Sequence, residues 1–98
     1  MSFKPCLLIP IYNHKDSICG TVGRLVQYGL PIYIVDDGSD EATRTVLDEL
    51  AGKHALVSLT RLQQNSGKGA AVMHGMRKAF SDGFSHALQI DADGQHDS

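Results

Sequence analysis

The sequence has few cysteines, no concentration of positive charge and no long apolar run, and each shortage removes a class of function. Its two cysteines, Cys6 and Cys19, form neither a CxxC pair nor a repeated ligand spacing. A structural zinc site and a disulfide framework therefore lack support, and buried, reduced thiols are the expectation. Nine lysines and arginines against eleven acidic residues give a formal charge of −2. The basic residues are scattered, so there is no basic face to hold a nucleic-acid backbone. No apolar stretch approaches the roughly 18 residues of a spanning helix, and Met1 to Pro5 lack the charged start and apolar core of a secretory leader. A cytoplasmic location is the default expectation, with peripheral contact at the inner face of a membrane left open. No internal repeat or low-complexity segment interrupts the chain.

What is present suits one domain, or part of one: 98 residues with 42% hydrophobic content, ordinary for a chain that buries a core. Cys6 to Ile11 is a short continuous apolar run, as in a strand buried on both faces. Ile18, Val22, Leu25 and Val26 recur at helical spacing from Ser17, and Gly29 with Pro31 supplies a stop. Ile32 to Val35 predicts a second strand running into the polar cluster Asp36 to Asp40. Ser39 or Asp40 can cap the next helix, whose stripe is Ala42, Val46, Leu47 and Leu50 and whose end is Gly52. Ala55 to Leu59 predicts a third strand. A loop over Asn65 to Gly69 leads into a helix over Ala70 to Phe80, with a stripe through Ala71, Met76, Ala79 and Phe80 and a stop at Gly83. Ala87 to Ile90 predicts a fourth strand. The order βαβαβαβ implies an α/β fold with a mostly parallel sheet, right-handed crossovers and helices on both faces.

Ligands of such sheets sit beyond the carboxyl ends of the strands, and the polar loops fall on that edge. Asp36 and Asp37 follow the second strand, Asp91 and Asp93 the fourth. Like charges a few ångströms apart repel by several kcal/mol at an effective dielectric of about 20, so a cation or hydrogen-bond donors must relieve such a cluster. Asp91-Ala92-Asp93 places two hard oxygens at i and i+2, suited to a divalent ion that keeps waters and shares diphosphate oxygens, naturally Mg²⁺ or Mn²⁺. An isolated pair of this kind is more often made of turn and cap residues. Asp37 suits either a base or ribose contact or a helix cap, and Asp40 suits the cap equally well.

Gly67-Lys68-Gly69 invites an anion at a helix N-terminus, with the lysine adding a point charge. It is not a Walker A loop, because Leu62 and Gly69 occupy the places of the required glycine and Ser or Thr. Pro10 to His14 contains no glycine, which disfavours an NAD-type pyrophosphate turn. Tyr12 is placed to stack on a planar base or to be a plain rim aromatic, and Asn13 to bond the loop backbone. The five histidines show no metal-binding spacing. Only His96, beside the Asp-x-Asp loop, is a candidate among them.

Together these segments resemble the family 2 glycosyltransferases of the GT-A fold, especially the polyprenol-phosphate sugar transferase type. The resemblance spans nearly the whole chain. It is carried by Leu8-Ile9-Pro10-Ile11-Tyr12-Asn13, Ile34-Val35-Asp36-Asp37-Gly38-Ser39, Asn65-Ser66-Gly67-Lys68-Gly69-Ala70-Ala71 and Leu88-Gln89-Ile90-Asp91-Ala92-Asp93-Gly94-Gln95-His96. It implies a three-layer, Rossmann-like nucleotide-diphospho-sugar-binding half.

By that resemblance Pro10 and Tyr12 flank the nucleobase, with Asn13 in the same site, and Asp37, with Asp36, bonds base or ribose. Lys68 lies near the donor. Asp91 and Asp93 support the ribose and the metal-bound diphosphate, and Gln95 joins the metal shell around Mg²⁺ or Mn²⁺. The donor implied is a UDP- or GDP-linked sugar; the acceptor is a lipid phosphate, a glycan or another hydroxyl, reached by inverting transfer.

The sequence departs from the family at His14, where an acidic residue is frequent, which leaves a base or ribose contact there unsupported. The acceptor-side half and its catalytic base are expected after residue 98. Residues 1–98 are therefore expected to bind donor without transferring sugar. A non-catalytic sugar-nucleotide-binding or assembly module is the alternative in another class. A nucleotidyltransferase is disfavoured because the glycine-rich, arginine-containing loop after the first strand is missing.

Overall fold

A computed structural model describes residues 3–92. Strand β1 spans Pro5–Ile11, helix α1 Lys15–Leu25, strand β2 Ile32–Asp37, helix α2 Glu41–Lys53, strand β3 Val57–Leu62, helix α3 Lys68–Ser81 and strand β4 His86–Gln89; a 3₁₀ turn, Val26–Tyr28, follows α1. The four strands form one parallel sheet in the order β3-β2-β1-β4. The βαβαβαβ expectation is borne out.

Alternate residues of a strand face opposite sides, and the two cores follow that parity. Leu7, Ile9 and Ile11 of β1 with Ile32 and Ile34 of β2 pack against Ile18 and Val22 of α1 and Leu47 and Leu50 of α2. Cys6, Leu8, Tyr33 and Val35 pack against Ala71 and Ala79 of α3. The result is three layers. Leu8, Ile9, Ile18 and Ile34 are fully buried, each contributing about 1.5–3 kcal/mol by leaving water.

Several boundaries differ from the sequence reading. β2 runs through Asp36 and Asp37 instead of ending at Val35, because these residues still pair with Ile11 of β1 and with Arg61 and Leu62 of β3. β3 is displaced to Val57–Leu62 for the same reason, and the predicted Ala55 start is a turn. Gly52 does not end α2, which continues to Lys53 and closes with the His54 N–H on the Leu50 carbonyl. Ala42 is exposed, and Thr43 is the buried residue of that turn. α3 begins at Lys68, so the Gly67-Lys68-Gly69 segment is the start of the helix and not wholly loop.

Phe80 is half-exposed instead of belonging to the stripe; Gly75 takes that role. A Cβ on Gly75 would collide with Leu8 Cδ1 and lie 2.9 Å from Val35 Cγ2. The missing side chain lets α3 lie directly on β1 and β2.

The chain runs from β1 outward to β2 and β3, then returns to the other side of β1 to form β4. β1 is thus the point where strand order reverses. α1 and α2 cover one face and α3 the other, which opens a crevice beyond the carboxyl ends of β1 and β4.

Candidate functional site

At the end of β1 the chain turns through Asn13 and His14, both at positive φ (68° and 41°), before α1 begins. Asparagine tolerates this region better than most residues, and Asn13 is held at both main chain and side chain: its main-chain N–H donates to Ser39 Oγ at 2.8 Å and its Oδ1 accepts the Asp40 N–H at 2.9 Å. Asn13 therefore does bond the loop backbone, tying the β1–α1 loop to the β2–α2 loop. Tyr12 stays half-exposed on the rim.

The two aspartates ending β2 part ways by strand parity. Asp37 faces α3. It accepts the Ser66 N–H at 2.7 Å, the Gly67 N–H at 2.9 Å and Asn65 Nδ2 at 3.1 Å, and so shapes the loop before α3. The cap of α2 is Asp40, whose Oδ1 accepts the Thr43 N–H at 2.9 Å. That hydrogen bond holds the Asp40 carboxyl below its ordinary value. The cap-or-ligand choice for Asp37 is resolved against the cap.

Asp36 faces the other way and is fully buried. It accepts the Ser39 N–H at 3.0 Å and Arg61 Nε at 3.1 Å. Burial works against the charge of Arg61, yet the hydrogen bonds to Asp36 and Asp48 hold its pKa above the ordinary guanidinium value.

Gly67 (φ 97°) precedes α3 without capping it by a side chain, and Gly67, Lys68 and Ala71 of this turn border the crevice. From this turn Lys68 reaches Asp91, beyond the end of β4, at 2.7 Å. Thr21 Oγ1, 2.9 Å from the Ala92 carbonyl, ties the segment after β4 to α1.

These elements enclose a cavity of about 480 Å³, whose walls include Pro10, Tyr12, His14, Asp37, Lys68 and Asp91. That size suits a small-molecule ligand. Of the residues expected from sequence, Pro10, Tyr12, Asp37, Lys68 and Asp91 come together there. Asn13 and Asp36 do not line it. Asp93, Gln95 and His96 lie outside the described residues.

Sequence reasoning gave no role to Asn65 or Arg61 and left His14 without a supported one. His14 lies on the cavity wall, although its departure from the family pattern argued against it. Asn65 and Gly67 also line the cavity, and their glycine-rich neighbourhood was the available signal. Arg61 had no signal, because nothing in a strand sequence tells which face will carry a buried carboxylate.

Among the described residues no three His, Cys, Asp or Glu side chains converge on a metal position. Asp91 offers one hard oxygen donor, already set against the Lys68 ammonium. A carboxylate so placed fits a divalent ion whose remaining ligands come from a diphosphate and water.

Comparison with known proteins gives this geometry a lineage. The family model for Glycosyl transferase family 2 matches residues 6–98. The UDP-N-acetylglucosamine–dolichyl-phosphate N-acetylglucosaminyltransferase of Methanococcus voltae is 34% identical, the match covering 92% of this chain and 41% of that protein. The polyprenol monophosphomannose synthase of Mycolicibacterium smegmatis is 35% identical over 92% of this chain and 35% of its own length. The chain thus spans well under half of these relatives. A mannosyltransferase from Pyrobaculum calidifontis, solved with GDP-Man and Mn²⁺, shares the fold with a TM-score of 0.72 at 19% identity, over 92% of this chain and 27% of that one. The parallel sheet, its switch-point cavity and the matched residues agree, and the chain belongs to glycosyl transferase family 2.

Proposed function

We propose that this chain forms the donor-binding side of a metal-dependent, inverting sugar transferase that takes a nucleoside-diphosphate sugar and serves a lipid-phosphate acceptor. The observation that carries the reading is the convergence of Tyr12, Asp37, Lys68 and Asp91 on one cavity at the switch point of the sheet. Its polar groups are matched to the parts of such a donor. Tyr12 offers an apolar face to the base. Asp37, fixed by the loop before α3, presents a carboxylate edge to base or ribose hydrogen-bond donors. Lys68 and the first turn of α3 supply positive charge to the diphosphate.

Asp91 would hold Mg²⁺ or Mn²⁺ together with the donor, in the company of Asp93 and Gln95. The ion supplies Lewis-acid stabilisation of negative charge on the departing diphosphate. This chain's own part is to bind the nucleotide, to orient the diphosphate along the start of α3 and to concentrate positive charge where the leaving group develops its own.

Relatives named for dolichyl phosphate and polyprenol acceptors support a lipid-phosphate acceptor. Such an acceptor would bring the protein to the cytoplasmic face of a membrane. Among the described residues no helix is long and apolar enough to cross one.

Calorimetric titration of the full chain with UDP, GDP and their sugar conjugates, with and without Mn²⁺, tests the proposal. One nucleoside diphosphate should bind, more tightly with Mn²⁺ than without. Asp91→Ala should lose most of that Mn²⁺ enhancement. Failure of every nucleotide to bind a folded chain would discard the donor-site reading, and an unchanged Mn²⁺ effect in Asp91→Ala would discard the metal assignment.

A further inference from the structure

A continuous line of hydrogen bonds runs from β3 to the β1–α1 loop through residues that do not themselves line the cavity. It begins at Arg61, whose Nη2 reaches Asp48 at 3.1 Å and the Arg44 carbonyl at 3.3 Å, while its Nε donates to Asp36 at 3.1 Å. The other Asp36 oxygen accepts the Ser39 N–H at 3.0 Å. Ser39 Oγ accepts the Asn13 N–H at 2.8 Å. Asn13 lies between Tyr12 and His14, both on the cavity wall, whereas Arg61, Asp36 and Ser39 are not.

Two properties make this line consequential. Asp36 is fully buried against the Arg61 guanidinium, and removing one partner of a buried pair leaves an uncompensated charge. Asn13 and His14 are both at positive φ, a conformation that persists only where surrounding contacts over-determine it. The Ser39 bond is one of those contacts, and its acceptor is fixed through Asp36.

We infer that Arg61 is a positioning residue for the nucleotide cavity, acting through Asp36, Ser39 and Asn13 to hold the loop bearing Tyr12 and His14. The inference rests on the donor-site reading above. Arg61 touches no ligand; it sets the geometry of residues that do. Without its fork, Asp36 is left buried without its charged partner, the Ser39 turn relaxes, and the base-facing rim is no longer preorganised.

The test compares Arg61→Gln, Arg61→Lys, Ser39→Ala and Tyr33→Phe in the full chain, by calorimetry with UDP and GDP and by amide hydrogen exchange without nucleotide. Arg61→Gln should weaken binding of the preferred nucleotide by roughly tenfold, in the range of couplings passed through packed networks, and speed exchange at the Asn13 amide. Arg61→Lys should restore part of the affinity. Ser39→Ala cuts the line while leaving the Arg61–Asp36 pair intact, so it carries the test should Arg61→Gln not fold. Tyr33→Phe removes a 2.6 Å bond to Asp82 on the opposite face of the sheet and should cost stability without costing affinity.

Affinities within twofold of the unsubstituted chain for Ser39→Ala and every folded Arg61 variant would overturn the inference. So would an affinity loss in Tyr33→Phe equal to theirs, since stability alone would then explain it. If the unsubstituted chain bound neither nucleotide, the donor-site reading would fail first and take the inference with it, an outcome distinct from the other two.

Discussion

The Lys68 ammonium stands 2.7 Å from the Asp91 carboxylate, joining the first turn of α3 to the segment beyond β4 at the cavity. Both side chains retain solvent access, 57% for Lys68 and 24% for Asp91, and exposed pairs of this kind add little to stability. On the proposed donor-site reading the pair is a charge arrangement for a ligand and not a brace.

Lys68→Met should therefore separate binding from folding. The expected result is a melting temperature close to that of the unsubstituted chain and a nucleoside-diphosphate affinity lower by roughly tenfold, the equivalent of about 1.4 kcal/mol. Calorimetry and a thermal melt on the same preparation check it. A large drop in melting temperature with intact affinity would contradict the assignment.

Asp37 should lose both stability and binding, because its carboxylate organises the loop before α3 as well as facing the cavity. Asp37→Ala leaves the Ser66 and Gly67 amides without their acceptor, costing about 1–3 kcal/mol and abolishing measurable nucleotide binding. Urea unfolding gives the first quantity and calorimetry the second. Wild-type stability in Asp37→Ala would show that these hydrogen bonds do not hold the loop.

Gly75→Ala probes how closely α3 must approach the sheet. The added methyl would collide with Leu8 and crowd Val35, and overpacking of this kind costs about 1–3 kcal/mol. α3 also carries Lys68 at its start, so a displaced helix should weaken nucleotide binding too. Unchanged melting and binding would mean that the core absorbs the methyl by side-chain motion alone.

The Asp40 cap gives a pH signature. The hydrogen bond from Thr43 lowers its carboxyl below the ordinary 3.8, so the folded state binds the proton less readily than the unfolded state. Its contribution is present above the unfolded value and is lost as pH falls through the lowered one. Thermal melts from neutral to acidic pH should show this loss below about pH 4. In Asp40→Asn, which caps without titrating, the corresponding part of the acid dependence should vanish.

Much of the site was legible because it is local. Pro10, Tyr12, Asp37, Lys68 and Asp91 each lie at or just beyond the end of a strand or at the start of a helix, and in a parallel sheet those positions share one edge. Asp36 was less legible. Adjacent to Asp37 and chemically identical, it differs only in parity, and parity acquires meaning once helices cover particular faces. His14 was less legible, because it reaches the cavity wall through a left-handed turn held by Asn13.

The element boundaries that moved share one cause. β2 extends through Asp37 and β3 through Leu62 because neighbouring strands supply backbone partners that no local pattern records. Gly75 lies inside α3 because its close packing on Leu8 and Val35 outweighs the roughly 1 kcal/mol that glycine costs there; Gly52 is an exposed residue of the last turn of α2.

By itself the sequence determined the alternation of strands and helices, the parallel sheet and the polar loops gathered at its carboxyl edge, since hydrophobic periodicity and turn chemistry are properties of neighbouring residues. Only the tertiary structure decided that β4 returns beside β1, that Asp37 faces the cavity while Asp36 is buried against Arg61, and that α3 lies close enough to present Lys68 to Asp91. Those outcomes depend on which surfaces meet, and that is settled by packing across the sheet instead of along the chain.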